Sequence, residues 1–282
     1  MKLQSVLLGL LLVITHAVCT ANTGGNISVK AVEAGTTTPV EYFSARVKGK
    51  SIGFLSDYDG IVNMNLDRVD DSDTLSLSCI GYETCDLRVG NLSDGMTVAM
   101  KRRRFELPEV CARPRKYKTV KQGKKHSFGI STMPFYEKRG SIIGIESDSK
   151  GKAQWLTGIG FHIKPTADRL SKMKFRISVY DGADVKGRET TDFKDCGIKP
   201  VYVDYQAEMI DGDRFTHKFS EPIQLPHKAM IAIEFLDDMG NERIRCRHNI
   251  LGGGVWTASP SSSHWIKFPV ATPFFIEVIQ AK

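Results

Sequence analysis

The chain has 282 residues, 41% of them hydrophobic and 25% charged, with a formal net charge of +7. That apolar content excludes a disordered chain, and the length suffices for two domains of ordinary size. Eleven Lys or Arg against Glu106 and Glu109 put +9 into residues 101–125 and leave −2 for the rest. A nucleic-acid binder spreads its basic residues over a docking face with aromatics interleaved, so that class is not expected.

The chain opens on Lys2, a short apolar run over 6–14, and small residues at Thr20 and Ala21. Residues 1–21 therefore read as a secretory signal peptide, cleaved near Ala21, and the apolar run is too short to span a bilayer. Lipidation at Cys19 is the rival reading, although His16, Ala17 and Val18 depart from the usual preceding residues. Short alternating segments follow over 27–32, 39–47, 52–55, 61–66, 75–80, 84–89 and 96–100. They are joined by turns such as Asp57-Tyr58-Asp59-Gly60. Even spacing of about seven such strands predicts a β-sandwich over 22–110.

The stretches Thr38-Pro39-Val40-Glu41-Tyr42-Phe43, Ser56-Asp57-Tyr58-Asp59-Gly60 and Leu75-Ser76-Leu77-Ser78-Cys79-Ile80-Gly81-Tyr82 carry a resemblance. They resemble the carboxypeptidase-regulatory-like, transthyretin-like module at the N-termini of TonB-dependent outer-membrane transporters of Bacteroides-type bacteria. Leu107, Glu109 and Val110 echo the strand that closes the module in that family. The likeness implies a transthyretin-like seven-stranded β-sandwich over 27–110 and an exported protein, periplasmic or associated with the outer membrane. The residues after 110 are too few for a plug and barrel, so transport by this chain is not expected.

Residues 111–135 are basic and then rich in Gly, Ser, Thr and Pro, which reads as a linker. Strands are expected beyond it over 141–145, 155–163, 173–180, 201–205, 215–219, 230–236, 255–257, 265–268 and 274–279. Pro222 and Pro226 should bracket a short edge strand. Residues 136–282 are thus a second all-β unit, a jelly-roll-like β-sandwich.

Five cysteines follow the leader: Cys79, Cys85, Cys111, Cys196 and Cys246. Cys79 and Cys85 flank a turn and could bridge in an oxidising compartment, the alternative being that Cys79 is a small buried apolar residue. No closely spaced Cys/His set suggests zinc, and in a calcium loop opened at Asp57 the glycine, Gly60, falls fourth instead of sixth and Arg68 stands twelfth where Glu is needed. Cys246 and His248 share one strand face, but no motif around them supports acyl transfer. Ser127, Ser131 and Ser261–Ser263 lie in no nucleophile elbow. No catalytic residue, metal or cofactor is therefore assigned.

Aromatics carry the remaining hint. Trp256 and Trp265 border a Gly/Ser-rich loop with His264, and Tyr202 and Tyr205 share a strand. Sugar rings stack their C–H faces on such side chains, while the competing role is core filling. The expected function is an exported, non-enzymatic cell-envelope adaptor or binding protein whose partner is an envelope protein or glycan. Residues 101–125 would touch an anionic membrane surface, unless they are a solvated connector. The alternative is an envelope polysaccharide hydrolase using two carboxylates from Asp181, Asp184, Asp204, Glu234, Asp237 and Asp238.

Overall fold

The computed structural model describes residues 25–105, 116–123, 131–134, 139–162, 172–191, 193–206, 209–237, 245–248, 254–262, 264–270 and 274–281. The expected signal peptide, Cys19, Cys111 and Asp238 lie outside them, as do the side chains of Cys246 and His248. Strands dominate, and the one helical element among the described residues is a single turn, Val89–Asn91. The protein is an all-β sandwich fold.

Seven strands come first: β1 (Asn26–Glu33), β2 (Ser44–Val47), β3 (Gly53–Leu55), β4 (Ile61–Asn65), β5 (Thr74–Ser78), β6 (Cys85–Arg88) and β7 (Met96–Met100). They form a three-stranded sheet, β4-β1-β7, facing a four-stranded sheet, β3-β2-β5-β6. Alternation dictates the arrangement: Ile27, Val29 and Ala31 of β1 point inward while their neighbours do not. They meet Phe43, Ala45, Val47, Leu75 and Leu77 from the opposite sheet in one apolar cluster.

The remaining strands are β8 (Tyr117–Gly123), β9 (Ser131–Pro134), β10 (Ile142–Asp148), β11 (Gln154–His162), β12 (Lys172–Asp181), β13 (Glu189–Thr190), β14 (Lys194–Asp195) and β15 (Val201–Gln206). They continue with β16 (Ile210–Asp211), β17 (Arg214–Gln224), β18 (Lys228–Phe235), β19 (Arg245–His248), β20 (Val255–Ala258), β21 (Trp265–Phe268) and β22 (Phe274–Ala281). An eight-stranded sheet runs β13-β21-β20-β10-β18-β12-β14, with β15 also paired to β12. A five-stranded sheet runs β16-β17-β11-β22-β8, and β9 pairs with β19. Phe161, Phe175, Phe215, Ile231, Ile233 and Phe274 lead the large core between these two sheets.

Two features depart from the sequence reading. Residues 117–123, expected within a linker, form the edge strand β8 along β22, and 131–134 form β9. Val120 packs on the core while Tyr117 and Lys118 stay exposed, so one inward residue was too faint a signal. Lysines on such an edge discourage further strand pairing. Pro222 lies inside the long β17 rather than beside a separate strand. Strand β16 covers β17 only at Arg214 and Phe215, so the outer side at Pro222 is an edge that needs no N–H.

The eight-stranded sheet is covered on both faces. Its inner face (Phe175, Ile177, Ile231, Ile233) meets the five-stranded sheet. Part of the outer face, with Met230, Ala232 and Trp256, is closed by Phe193 from the connection after β13. Another part of that face, with Arg176, Tyr202 and Glu234, receives the amino-terminal sandwich, while Glu146 stays exposed.

Candidate functional site at the junction of the sandwiches

Backbone complementarity seats the amino-terminal sandwich. A Cβ on Gly53 would collide with the Pro260 carbonyl and the Ser261 backbone nitrogen. The Gly81 N–H donates to Asp195 Oδ2 at 2.7 Å, and Arg46 Nη1 donates to the Ser262 carbonyl at 3.2 Å. Arg139 donates Nε to the Leu236 carbonyl at 2.8 Å and Nη2 to the Ser56 carbonyl. Tyr42, Leu55 and Leu236 form a small apolar cluster across the contact.

A buried charged pair lies beneath this contact. Arg176 of β12 sits opposite Glu234 of β18 in register, and its Nε donates to Oε2 at 2.9 Å. Arg176 Nη1, Glu234 Oε1 and Ser178 Oγ make no further hydrogen bond. Burial pushes the Glu234 carboxyl above the ordinary range, with Arg176 opposing. The Cys79 thiol donates to the Glu41 carbonyl at 3.7 Å, and burial raises its pKa, again with Arg176 opposing.

Beside the contact lies a groove of about 540 Å³ lined by Tyr42, Lys174, Asp204, Tyr205, Gln206 and Asp237. Lys174 holds both carboxylates: its N–H donates to Asp237 Oδ2 at 2.6 Å and its Nζ lies 3.4 Å from Asp204 Oδ1. Tyr42 stands at the centre, 6.5 Å from the Tyr58 ring and 5.7 Å from the Tyr202 ring, centroid to centroid. These three tyrosines form a row across the junction, and Lys174 Nζ lies 5.8 Å from the Tyr58 ring. Tyr58 is 59% exposed and Tyr202 40%. The Tyr42 phenol is held above its usual pKa by burial first, then by the charges of Asp237 and Glu41. Its backbone has φ of 50°, a left-handed conformation costly for a bulky side chain. Strain of that kind concentrates at functional sites.

The residues expected from sequence to bind separate into two places. Tyr202 and Tyr205 both line or border the groove, but Tyr205 is 3% exposed and belongs to the core, where it meets Phe215. Trp256 is fully buried, its ring T-shaped to Phe193, and Trp265 packs on the same Phe193 and on Tyr180. The tryptophan pair therefore closes the outer face of a sheet; alternation points Val255 into the core and Trp256 to that outer face, where Phe193 covers it and leaves no ligand surface. The expected Cys79–Cys85 bridge is absent, both being free thiols. Cys85 stands opposite Leu77, two residues before Cys79, so the turn places Cys79 diagonally.

Among the carboxylates considered for hydrolysis, Glu234 is sealed against Arg176 and Asp184 pairs with Lys194 at the surface. Asp181 accepts the Ala183 N–H, and Asp204 and Asp237 meet in the groove. No group of three His, Cys, Asp or Glu side chains converges as a metal site among the described residues. Sequence reasoning missed Tyr42, Lys174 and Gln206 as groove residues and Tyr58 as the ring beside Tyr42. Tyr58 had a signal, since an aromatic between two aspartates in a tight turn cannot be buried with them.

No family model and no curated protein matches the chain. Among solved structures, that of infectious bursal disease virus Gt strain is similar over 90% of this chain and 59% of its own, at 9% identity and a TM-score of 0.27. That of the Gx strain is similar over 91% and 63%, at 12% identity and a TM-score of 0.17. The chain thus spans about three fifths of the length of these viral proteins, and likenesses so remote carry no weight for its function.

Proposed function

We propose that the chain is an exported, non-enzymatic binding protein of the cell envelope, in which a carboxypeptidase-regulatory-like module is fused to a jelly-roll-like domain. Its ligand, a partner protein or a glycan, seats in the groove between them. The observation that carries this reading is the tyrosine row Tyr58–Tyr42–Tyr202, two of whose rings remain exposed above a polar groove. Exposed aromatics gathered beside oriented polar groups are characteristic of binding sites. Export is supported by the leader-like residues 1–21, and no helix among the described residues is long and apolar enough to cross a membrane.

Binding is favoured over hydrolysis by where the raised carboxyl lies. A glycosidase needs an acid with an elevated pKa facing substrate. Among the described residues, the carboxyl that burial raises is Glu234, which is shut under the amino-terminal sandwich and bonded to Arg176. Affinity capture of the full chain from mildly cross-linked native envelopes tests the proposal. A stoichiometric protein or glycan is expected; capture of neither, or release of reducing ends from envelope polysaccharide, would overturn it.

The exposed Lys101, Arg103 and Arg104 make contact with an anionic surface a natural second attachment, whereas Arg102 is committed to Glu33 by two hydrogen bonds. Sedimentation with anionic vesicles that survives replacement of those three residues by Gln would remove this role.

A further inference from the structure

We infer that the junction groove binds a neutral saccharide, with a sugar ring laid on Tyr58 or Tyr202 and its hydroxyls held by Asp204, Asp237 and Gln206. This rests on the reading of the groove as the binding site and names the chemistry of its occupant.

Three properties of the groove select that class. Its walls hold carboxylates and an amide, and the exposed rings of Tyr58 and Tyr202 stand beside its wall residue Tyr42, which matches a ligand that is apolar on its C–H faces and polar around its rim. Lys174 neutralises only one of the two carboxylates that it holds, so the groove is formally negative by one charge. Carboxylated or phosphorylated ligands, nucleic acid among them, would meet repulsion there. The pKa of Tyr42 is raised by burial first, and Asp237, Glu41 and Asp204 add to the rise against the opposing Arg139, in keeping with that sign of the field.

Geometry supplies the third. The floor is built on paired strands: Met173 and Tyr205 face each other across β12 and β15, and both are buried. A rigid floor fixes the polar groups before the ligand arrives, which lowers the entropy cost of binding. The volume of about 540 Å³ suits a small ligand or the end of a longer chain. The outward residues of β15 (Tyr202, Asp204, Gln206) carry a charge and an amide, a poor template for adding a peptide strand.

The test is an array of neutral and uronic-acid glycans probed with the full chain, followed by titration of the best binder against variants. A neutral glycan should bind, and Tyr58→Ala should weaken it about tenfold or more, the loss of ~1.4 kcal/mol. Tyr58→Trp should preserve binding, since it keeps a stacking face. Both changes fall on an exposed turn residue, so folding is spared. Oligogalacturonate should bind more weakly than the neutral glycan. Unchanged affinity in Tyr58→Ala, or preference for the acidic glycan, would overturn the inference. So would absence of any neutral binder, and footprinting on native envelope fractions then separates the two failures. If a protein covers Tyr58 and Tyr202, the saccharide fails while the binding site stands; if nothing covers them, both fail.

Discussion

Arg176 and Glu234 face each other on adjacent strands with Nε and Oε2 2.9 Å apart, under a lid formed by the amino-terminal sandwich. Their remaining polar atoms, Nη1 and Oε1, have no hydrogen-bond partner. A buried ion pair in this state contributes little net stability, yet removing one partner strands the other charge. Glu234→Ala should therefore cost about 3–5 kcal/mol, whereas the double change Arg176→Met with Glu234→Leu should be neutral or stabilising. Urea unfolding of the three proteins measures this. A double variant as damaged as the single one would mean that the pair itself holds the sandwiches together.

Tyr42 predicts an inverted order of substitutions. Its φ of 50° is tolerated by glycine and disfavoured for any residue with a Cβ. Tyr42→Ala loses the ring contacts and keeps the strain, while Tyr42→Gly loses the same contacts and relieves it. The Gly variant should be the more stable by ~1 kcal/mol. Thermal unfolding of the pair decides it, and the usual advantage of Ala would show that the left-handed backbone is not imposed by the fold.

The junction should be sensitive at one methyl group. Gly53 faces the backbone of Pro260 and Ser261 so closely that a Cβ has no room, and the backbone there cannot swing aside as a side chain would. Gly53→Ala should cost about 1–3 kcal/mol of overpacking and loosen the contact between sandwiches. Hydrogen exchange should rise first at Gly81, whose N–H is held by Asp195 across the junction. Exchange that rises equally through both cores would contradict a local effect.

Lys50 bears on acid stability. Its ammonium lies 2.5 Å from Asp73 and 2.9 Å from Asp70, and the hydrogen bond from Lys50 holds Asp73 below the usual carboxylate range. A carboxyl lowered on folding stabilises the protein above its unfolded value, and that stability is lost as pH falls through the lowered value. Lys50→Met should lower stability at neutral pH and flatten its decline towards pH ~2, followed by urea midpoints. Parallel curves for the two proteins would remove the coupling.

How far the sequence foretold this architecture varies with the physics involved. Strict alternation in 27–32 and 173–180 announces half-buried strands, and these became β1 and β12, although in β12 Arg176 and Ser178 are buried as well. Strand β8 escaped because Val120 alone marks its inward face and its basic residues resemble a connector. The tryptophans misled because exposed and core aromatics look alike in sequence; burial of Trp256 depends on Phe193, more than sixty residues away. The groove was legible only in fragments, Tyr202 and Tyr205 as aromatics and Asp204 and Asp237 as carboxylates. Tyr42 and Tyr58 reach them through packing of one sandwich on the other, which no local pattern encodes.

Hydroxyl-radical footprinting of the full chain, free and bound to native envelope material, tests the junction site most directly. Oxidation of Tyr58 and Tyr202 should fall on binding, while Tyr117, 53% exposed on the edge strand β8, should react as before. Binding that leaves Tyr58 and Tyr202 as reactive as in the free chain would place the ligand elsewhere and contradict the account.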